Sequence, residues 1–138
     1  MIWDSKTGVL LGELKGNSGI ISSVSFSPDG TRIVTGNFDS HAMIWDAKTG
    51  DIIGEPLKGH SIGINTVSFS PDGKRIVSGD SDNLAMIWDV KTGKLIGDSL
   101  KVHSNAITSV MFSPDGSRIV TGSSDKLVNL DANTGAVI

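Results

Sequence analysis

The residues Gly59-His60-Ser61-Ile62-Gly63 fit G-x-S-x-G, the pattern that holds a nucleophilic serine on a sharp elbow. A serine hydroxyl attacks only with a base in hydrogen-bond reach and a carboxylate to orient that base. Ser61, His60 or His41, and Asp82 could form such a set, so acyl hydrolysis is one chemistry open to this chain. Asp80-Ser81-Asp82-Asn83 resembles the start of a calcium loop. It lacks the glycine and the closing glutamate at the spacing such a loop needs, so it reads as a turn. Three histidines, His41, His60 and His103, raise the question of zinc. There is no cysteine, which removes thiolate ligands and disulfides together. The 17 glycines recur at turns and form no phosphate-cradling loop. Neither a metal nor a cofactor is expected.

The surrounding sequence decides which of these readings has support. Phe-Ser-Pro-Asp-Gly occurs three times, with Pro28, Pro71 and Pro114 spaced by 43 residues. Arg-Ile-Val follows each, beginning at Arg32, Arg75 and Arg118. Trp-Asp stands at Trp3-Asp4, Trp45-Asp46 and Trp88-Asp89, with a degraded copy at Leu130-Asp131. Lys-Thr-Gly follows the first three and Asn133-Thr134-Gly135 the fourth. A fixed period of this length is the mark of a repeat architecture. The segments aligned with the elbow, Gly16-Asn17-Ser18-Gly19-Ile20 and Val102-His103-Ser104-Asn105-Ala106, keep the repeat and break the serine pattern. His60 and His103 are equivalent positions, which favours a separate partner for each over a shared metal. An elbow also needs a strand, a turn and then a helix, whereas the residues after Gly63 read as a strand.

Short segments rich in β-branched residues alternate with Ser-Pro-Asp-Gly and Lys-Thr-Gly turns, and no long window has helical spacing. Four strands per period are predicted: a (64–70), b (75–79), c (84–89) and d (94–100) in the middle copy. The first copy gives a (20–27), b (32–36), c (42–46) and d (51–57). The third gives a (106–113), b (118–122) and c (126–131), with a stub at 136–138.

Composition sets outer bounds. The 138 residues fit one small domain, and 38% hydrophobic with 20% charged residues can support a core. A net charge of −3 offers no broad attraction to nucleic acid or to anionic lipid. No apolar run approaches the roughly 20 residues that span a bilayer. Neither nucleic acid nor membrane is an expected partner, and a cytoplasmic location is the expectation.

Gly59-His60, Ser70-Pro71-Asp72-Gly73 and Trp88-Asp89 occur in an order and spacing that resemble the WD-repeat family, over nearly the whole chain. The near-identical copies, with Ile-Gly-Glu-Pro-Leu-Lys-Gly-His at 53–60, are similar to the repeats of fungal NACHT-type receptors. The resemblance implies an all-β fold of propeller blades, each of four antiparallel strands, about three blades per chain. Residues 1–138 would form a single segment, with a partial blade at 1–14 and repeats at about 15–57, 58–100 and 101–138. It also implies a buried hydrogen-bond network on His60, Ser78, Asp82 and Trp88. The first copy keeps Thr35, Asp39 and Trp45 but has Asn17 for the histidine. The third keeps His103, Thr121 and Asp125, has Leu130 near the tryptophan position and is one residue shorter. The third blade is therefore expected to be the least stable.

By the same resemblance the protein is not an enzyme but an interaction scaffold, the sensing module of a larger receptor being one form of it. Its protein or peptide partner would sit on the d–a loops (17–20, 61–63, 104–106) and the b–c loops (37–40, 80–83, 123–126). Phe38 stands where Ser81 and Ser124 stand in the other copies, and Ile62 is apolar in a polar loop; with Asn37 and Asn105 these are the candidate contacts. Three blades are fewer than a closed propeller has. The ring is expected to close through a longer parent chain or by oligomerisation, two chains giving six blades. In the second case strand d near the N-terminus (9–14) would complete a neighbour's third blade, and residues 1–4 could replace the defective strand around Leu130. A self-assembling structural fragment with no partner of its own is the alternative function, and a serine hydrolase the remote one.

Overall fold

The computed structural model describes residues 1–16 and 19–138. Among these there is no helix, and hence none long and apolar enough to cross a membrane. A short hairpin, β1 (Ile2–Trp3) and β2 (Leu10–Gly12), opens the chain. Blade 1 is β3 (Ile21–Phe26), β4 (Arg32–Asn37), β5 (His41–Asp46) and β6 (Leu57–Lys58), paired antiparallel in that order. Blade 2 repeats it with β7 (Ile64–Phe69), β8 (Arg75–Asp80), β9 (Leu84–Asp89) and β10 (Leu100–Lys101). Blade 3 holds β11 (Ile107–Phe112), β12 (Arg118–Ser123) and β13 (Leu127–Asp131). The sheets form an open arc of three blades rather than a closed ring.

The repeated turns explain why the strands begin and end where they do. In Ser-Pro-Asp-Gly, the Asp29 carboxylate accepts from the Ser27 hydroxyl at 2.6 Å and the Thr31 amide at 2.9 Å. Gly30, Gly73 and Gly116 then take φ of +72°, +71° and +74°, which a side chain would strain. The aspartate of Trp-Asp does the same after strand c: Asp46 accepts from the Lys48 and Thr49 amides, each at 2.8 Å. Strand d departs from expectation. Instead of a continuous strand over 51–57 it is a single bridge, Trp45 to Ile52, followed by the two residues of β6. Gly54 at φ +70° turns the chain between them, and Pro56 has no amide to donate. Blade 2 splits likewise, with a bridge from Trp88 to Leu95 before β10.

Each blade has two apolar faces, and the core lies between blades rather than within them. The trailing face of blade 1 (Val34, Ala42, Ile44) packs on the leading face of blade 2 (Ile64, Val67, Phe69, Ile76, Trp88). Blade 2 presents Val77, Ala85 and Ile87 to Ile107, Val110, Phe112 and Ile119 of blade 3 in the same way. Close approach depends on glycine: a Cβ on Gly36 would lie 2.7 Å from Ile64 Cγ2. Polar groups cross the seam too. Ser22 Oγ donates to the Ile64 carbonyl, and the Val67 amide donates to Ser23 Oγ at 3.1 Å. Asn65 and Thr66 repeat these contacts with Ile107 and Val110.

Candidate functional site

Two sets of residues meet at the loop end of the blades: a buried network beneath, and an exposed apolar row above it. In blade 2, Trp88 Nε1 donates to Ser78 Oγ at 2.8 Å, Ser78 Oγ lies 2.6 Å from His60 Nε2, and His60 Nδ1 lies 2.5 Å from Asp80 Oδ2. With its hydrogen on Nδ1, the imidazole donates to the carboxylate and accepts the serine hydroxyl hydrogen, so every group is satisfied. The second oxygen of Asp80 accepts the Asp82 and Leu84 amides, each at 2.9 Å. All four side chains are buried, and burial is tolerable because the network is complete.

The carboxylate differs from the one read from the sequence. Asp82 is exposed and lies outside the network; Asp80, at the end of β8, takes that role. The chain turns immediately after Asp80, so a side chain at the strand end points inward under the loop while one two residues on points to water. Asn37 and Ser123 are the equivalents of Asp80, and a polar residue ending strand b in every copy was the available signal.

Blade 3 uses the other position. His103 Nδ1 lies 2.8 Å from Asp125 and Nε2 lies 2.8 Å from Thr121 Oγ1. The Ser104 amide, at 2.8 Å, does most to hold the Asp125 carboxyl well below its ordinary value, with help from His103 and the Ser104 hydroxyl. Leu130 fills the indole's place. In blade 1, Trp45 Nε1 donates to Thr35 Oγ1 at 2.9 Å, and Asp39 is exposed, its carboxylate beside Gly19. Asn17 lies outside the described residues.

The exposed row follows from how neighbouring loops abut. Phe38, in the b–c loop of blade 1, is 53% exposed and sits against Gly63 of blade 2, where a Cβ would lie 3.2 Å from the ring. Ile62 adjoins Gly63 and is 44% exposed. On the other side, the Phe38 amide donates to the Ile20 carbonyl at 3.2 Å, and Ile20 is 67% exposed. Ile20, Phe38 and Ile62 therefore form one apolar row across two blades. Ile20 was missed in the sequence, although it occupies the place of Gly63 and Ala106.

The remaining candidate contacts divide. Ser81, Asn105 and Ser124 are exposed, Ser81 donating to Asn65 Oδ1 at 3.0 Å. Asn37 is buried and accepts the Asp39 and His41 amides at 3.1 and 3.0 Å, so it shapes the turn and is withheld from any partner. The elbow serine finds no catalytic setting: Gly63 leads into β7 rather than a helix. Both ring nitrogens of His60 are engaged by Asp80 and Ser78. Among the described residues, no group of three or more His, Asp or Glu side chains is placed to hold a metal.

A family model described as WD domain, G-beta repeat matches residues 8–46, 51–89 and 94–130. The chain is 41% identical over 56 residues to the periodic tryptophan protein 2 homolog of Neurospora crassa, covering 41% of this chain and 6% of that protein. It is 42% identical over 53 residues to autophagy-related protein 16 of Arabidopsis thaliana, covering 38% and 10%. Against the guanine nucleotide-binding protein subunit beta of Saccharomyces cerevisiae it is 40% identical over 45 residues, covering 33% and 11%. This chain thus spans only a small part of the length of these curated relatives.

Proposed function

Since the chain belongs to the WD-repeat family, whose members generally serve as non-catalytic scaffolds, we propose that it binds a protein or peptide partner on the loop end of its blades. The observation that carries this is the row Ile20, Phe38 and Ile62: exposed apolar side chains, the loop of Ile62 held at its base by the His60–Asp80 network and that of Phe38 by the Asn37 amide oxygen. Aromatic and aliphatic anchors on a rigid base are what an interface core needs. Ser81, Asn105 and Ser124 supply a polar rim. A recognition module of a larger cytoplasmic receptor is the form of scaffold that this reading favours.

Affinity capture with the wild type, Phe38→Ala and Ile62→Ser tests it. A stoichiometric protein held by the wild type and lost from both variants, at unchanged melting temperature, supports the site. Retention by both variants overturns it.

A second reading rests on the two uncovered blade faces. Ile21, Val24 and Phe26 of blade 1 are 39%, 63% and 56% exposed, although their equivalents in blades 2 and 3 are buried. Met111 and Leu127 of blade 3 are 64% and 71% exposed. Two copies joined head to tail would cover both ends and make a six-bladed ring. A dimer mass in native mass spectrometry is the expected result; a monomer counts against this reading alone.

A further inference from the structure

We infer that two copies join by strand exchange: β1 of one copy pairs with β12 of the other in the place β13 holds, so the hybrid blade is β11–β12 of one chain with β1–β2 of its neighbour. The inference rests on the head-to-tail reading and specifies its chemistry. Four observations carry it.

The first is register. Met-Ile-Trp-Asp stands at 1–4, 43–46 and 86–89, whereas β13 carries Val128-Asn129-Leu130-Asp131. In blades 1 and 2 this strand pairs with strand b through Ile33 to Trp45 and Ile76 to Trp88. The same register on β12 sets Trp3 opposite Ile119 and Ile2 opposite Val120.

The second is a pair of matching vacancies. Trp45 and Trp88 are fully buried and donate to Thr35 and Ser78. Trp3 is 56% exposed, with no hydrogen bond from its indole among the described residues. Thr121, the equivalent of Thr35, is fully buried beside a leucine and receives no indole. Each residue holds half of a bond made twice elsewhere in the chain.

The third is Asn129. It occupies the place of Ile44 and Ile87 on the trailing face, and its Oδ1 is buried without a hydrogen-bond partner. Exchange replaces it with Ile2 and removes an orphaned acceptor.

The fourth is shape. Among the described residues β1 pairs only with β2, leaving its other edge free. Between that strand and blade 1 lies a groove of about 670 Å³, lined by Trp3, Leu14, Ile21, Val24, Phe26 and others. An incoming β11–β12 hairpin would lie there as β7–β8 lies against blade 3. Gly79 admits Ile107, and a Cβ there would lie 2.5 Å from Ile107 Cγ2. Gly122 offers the same recess, where the nearest atom to a Cβ is Ser109 Cβ of its own blade at 3.7 Å, and Ile21 of a second copy is the matching knob.

Because the chain has no cysteine, a crosslink can report this directly. Thr31 and Ala47 are a hydrogen-bonded pair, so Val34 and Ile44, three steps along, face each other across a non-hydrogen-bonded position, where Cβ atoms come within disulfide reach. Ile2→Cys/Val120→Cys places thiols at the equivalent site. Oxidation should give a covalent dimer as the main species on a non-reducing gel. A native dimer that fails to crosslink overturns exchange and leaves association standing. A native monomer overturns both, and a ladder above two chains overturns closure in pairs. Asn129→Ile/Leu130→Trp, which repairs β13, provides a check that needs no thiols: it should weaken the dimer roughly tenfold or more by favouring the strand within the chain. Unchanged dimer affinity in that variant overturns exchange.

Discussion

The guanidinium of Arg75 lies 5.3 Å from the centroid of the Phe112 ring, across the seam between blades 2 and 3. It also donates to the Ala132 carbonyl at 2.7 Å and the Gly116 carbonyl at 3.0 Å, so one side chain ties a strand to two turns of its neighbour. Arg75→Ala should lower stability by about 1–2 kcal/mol, since charged hydrogen bonds and a half-buried cation–π contact are lost together. Arg75→Lys should recover only part, because an ammonium lacks the planar fork. Urea midpoints measure both, and an alanine variant as stable as the wild type would show that the seam does not depend on this contact.

The two carboxylates of the blade 2 turn should behave oppositely. Asp80→Ala leaves the buried imidazole and two turn amides without their acceptor and should cost about 2–4 kcal/mol. Asp82→Ala removes an exposed group and should stay within about 0.5 kcal/mol. Equal losses in thermal or urea unfolding would contradict the assignment of Asp80.

Gly79→Ala should destabilise by about 1–3 kcal/mol, because the added methyl meets Ile107 in the packed seam. Gly122→Ala should be tolerated by the isolated chain, where no neighbouring blade faces it. In the exchanged dimer it meets Ile21 and should reduce association. Sedimentation and urea unfolding of the same variant separate the two effects.

Acid should weaken the fold through its turns. Asp29 and Asp115 are pulled down to about 2, chiefly by the Ser27 and Ser113 hydroxyls and then by the Thr31 and Ser117 amides. Asp72, their equivalent, is lowered for the same reason, with Ser70 first. A depressed folded value means these carboxylates stabilise the fold above the ordinary carboxylate range. That contribution is lost as pH falls from about 4 toward 2. Urea midpoints should drop over that window, and Asp29→Asn with Asp115→Asn should flatten the slope; a midpoint that rises with acid would refute it.

Hydrogen exchange in dilute protein should be faster in β12–β13 than in β8–β9. Leu130 makes no indole bond, Asn129 carries an orphaned oxygen, and the face beyond them is open. Equal protection of the two blades would mean that neighbour packing alone sets their stability.

Much of this molecule was legible from pattern. The 43-residue period, the Ser-Pro-Asp-Gly and Trp-Asp turns and the alternation of strands a to c depend on local chemistry: which residues accept positive φ, which side chains cap amides, which positions alternate. The resemblance to the WD-repeat family marked the Trp45 and Trp88 positions as buried anchors, and comparison of the copies marked Leu130 as a defect. Strand d was read as too long because Gly54 and Pro56 act on the hydrogen-bond ladder, which depends on where the partner strand stops.

What needed the folded chain was everything set by direction and by neighbours. Choosing Asp80 over Asp82 required knowing which way each side chain points after the turn, and the demotion of Asn37 from surface to turn support has the same origin. The row Ile20, Phe38 and Ile62 exists only because loops of successive blades abut, joining residues far apart in the chain. Most of the apolar surface is buried between blades, so its completeness depends on what stands next to each blade rather than on the blade's own residues.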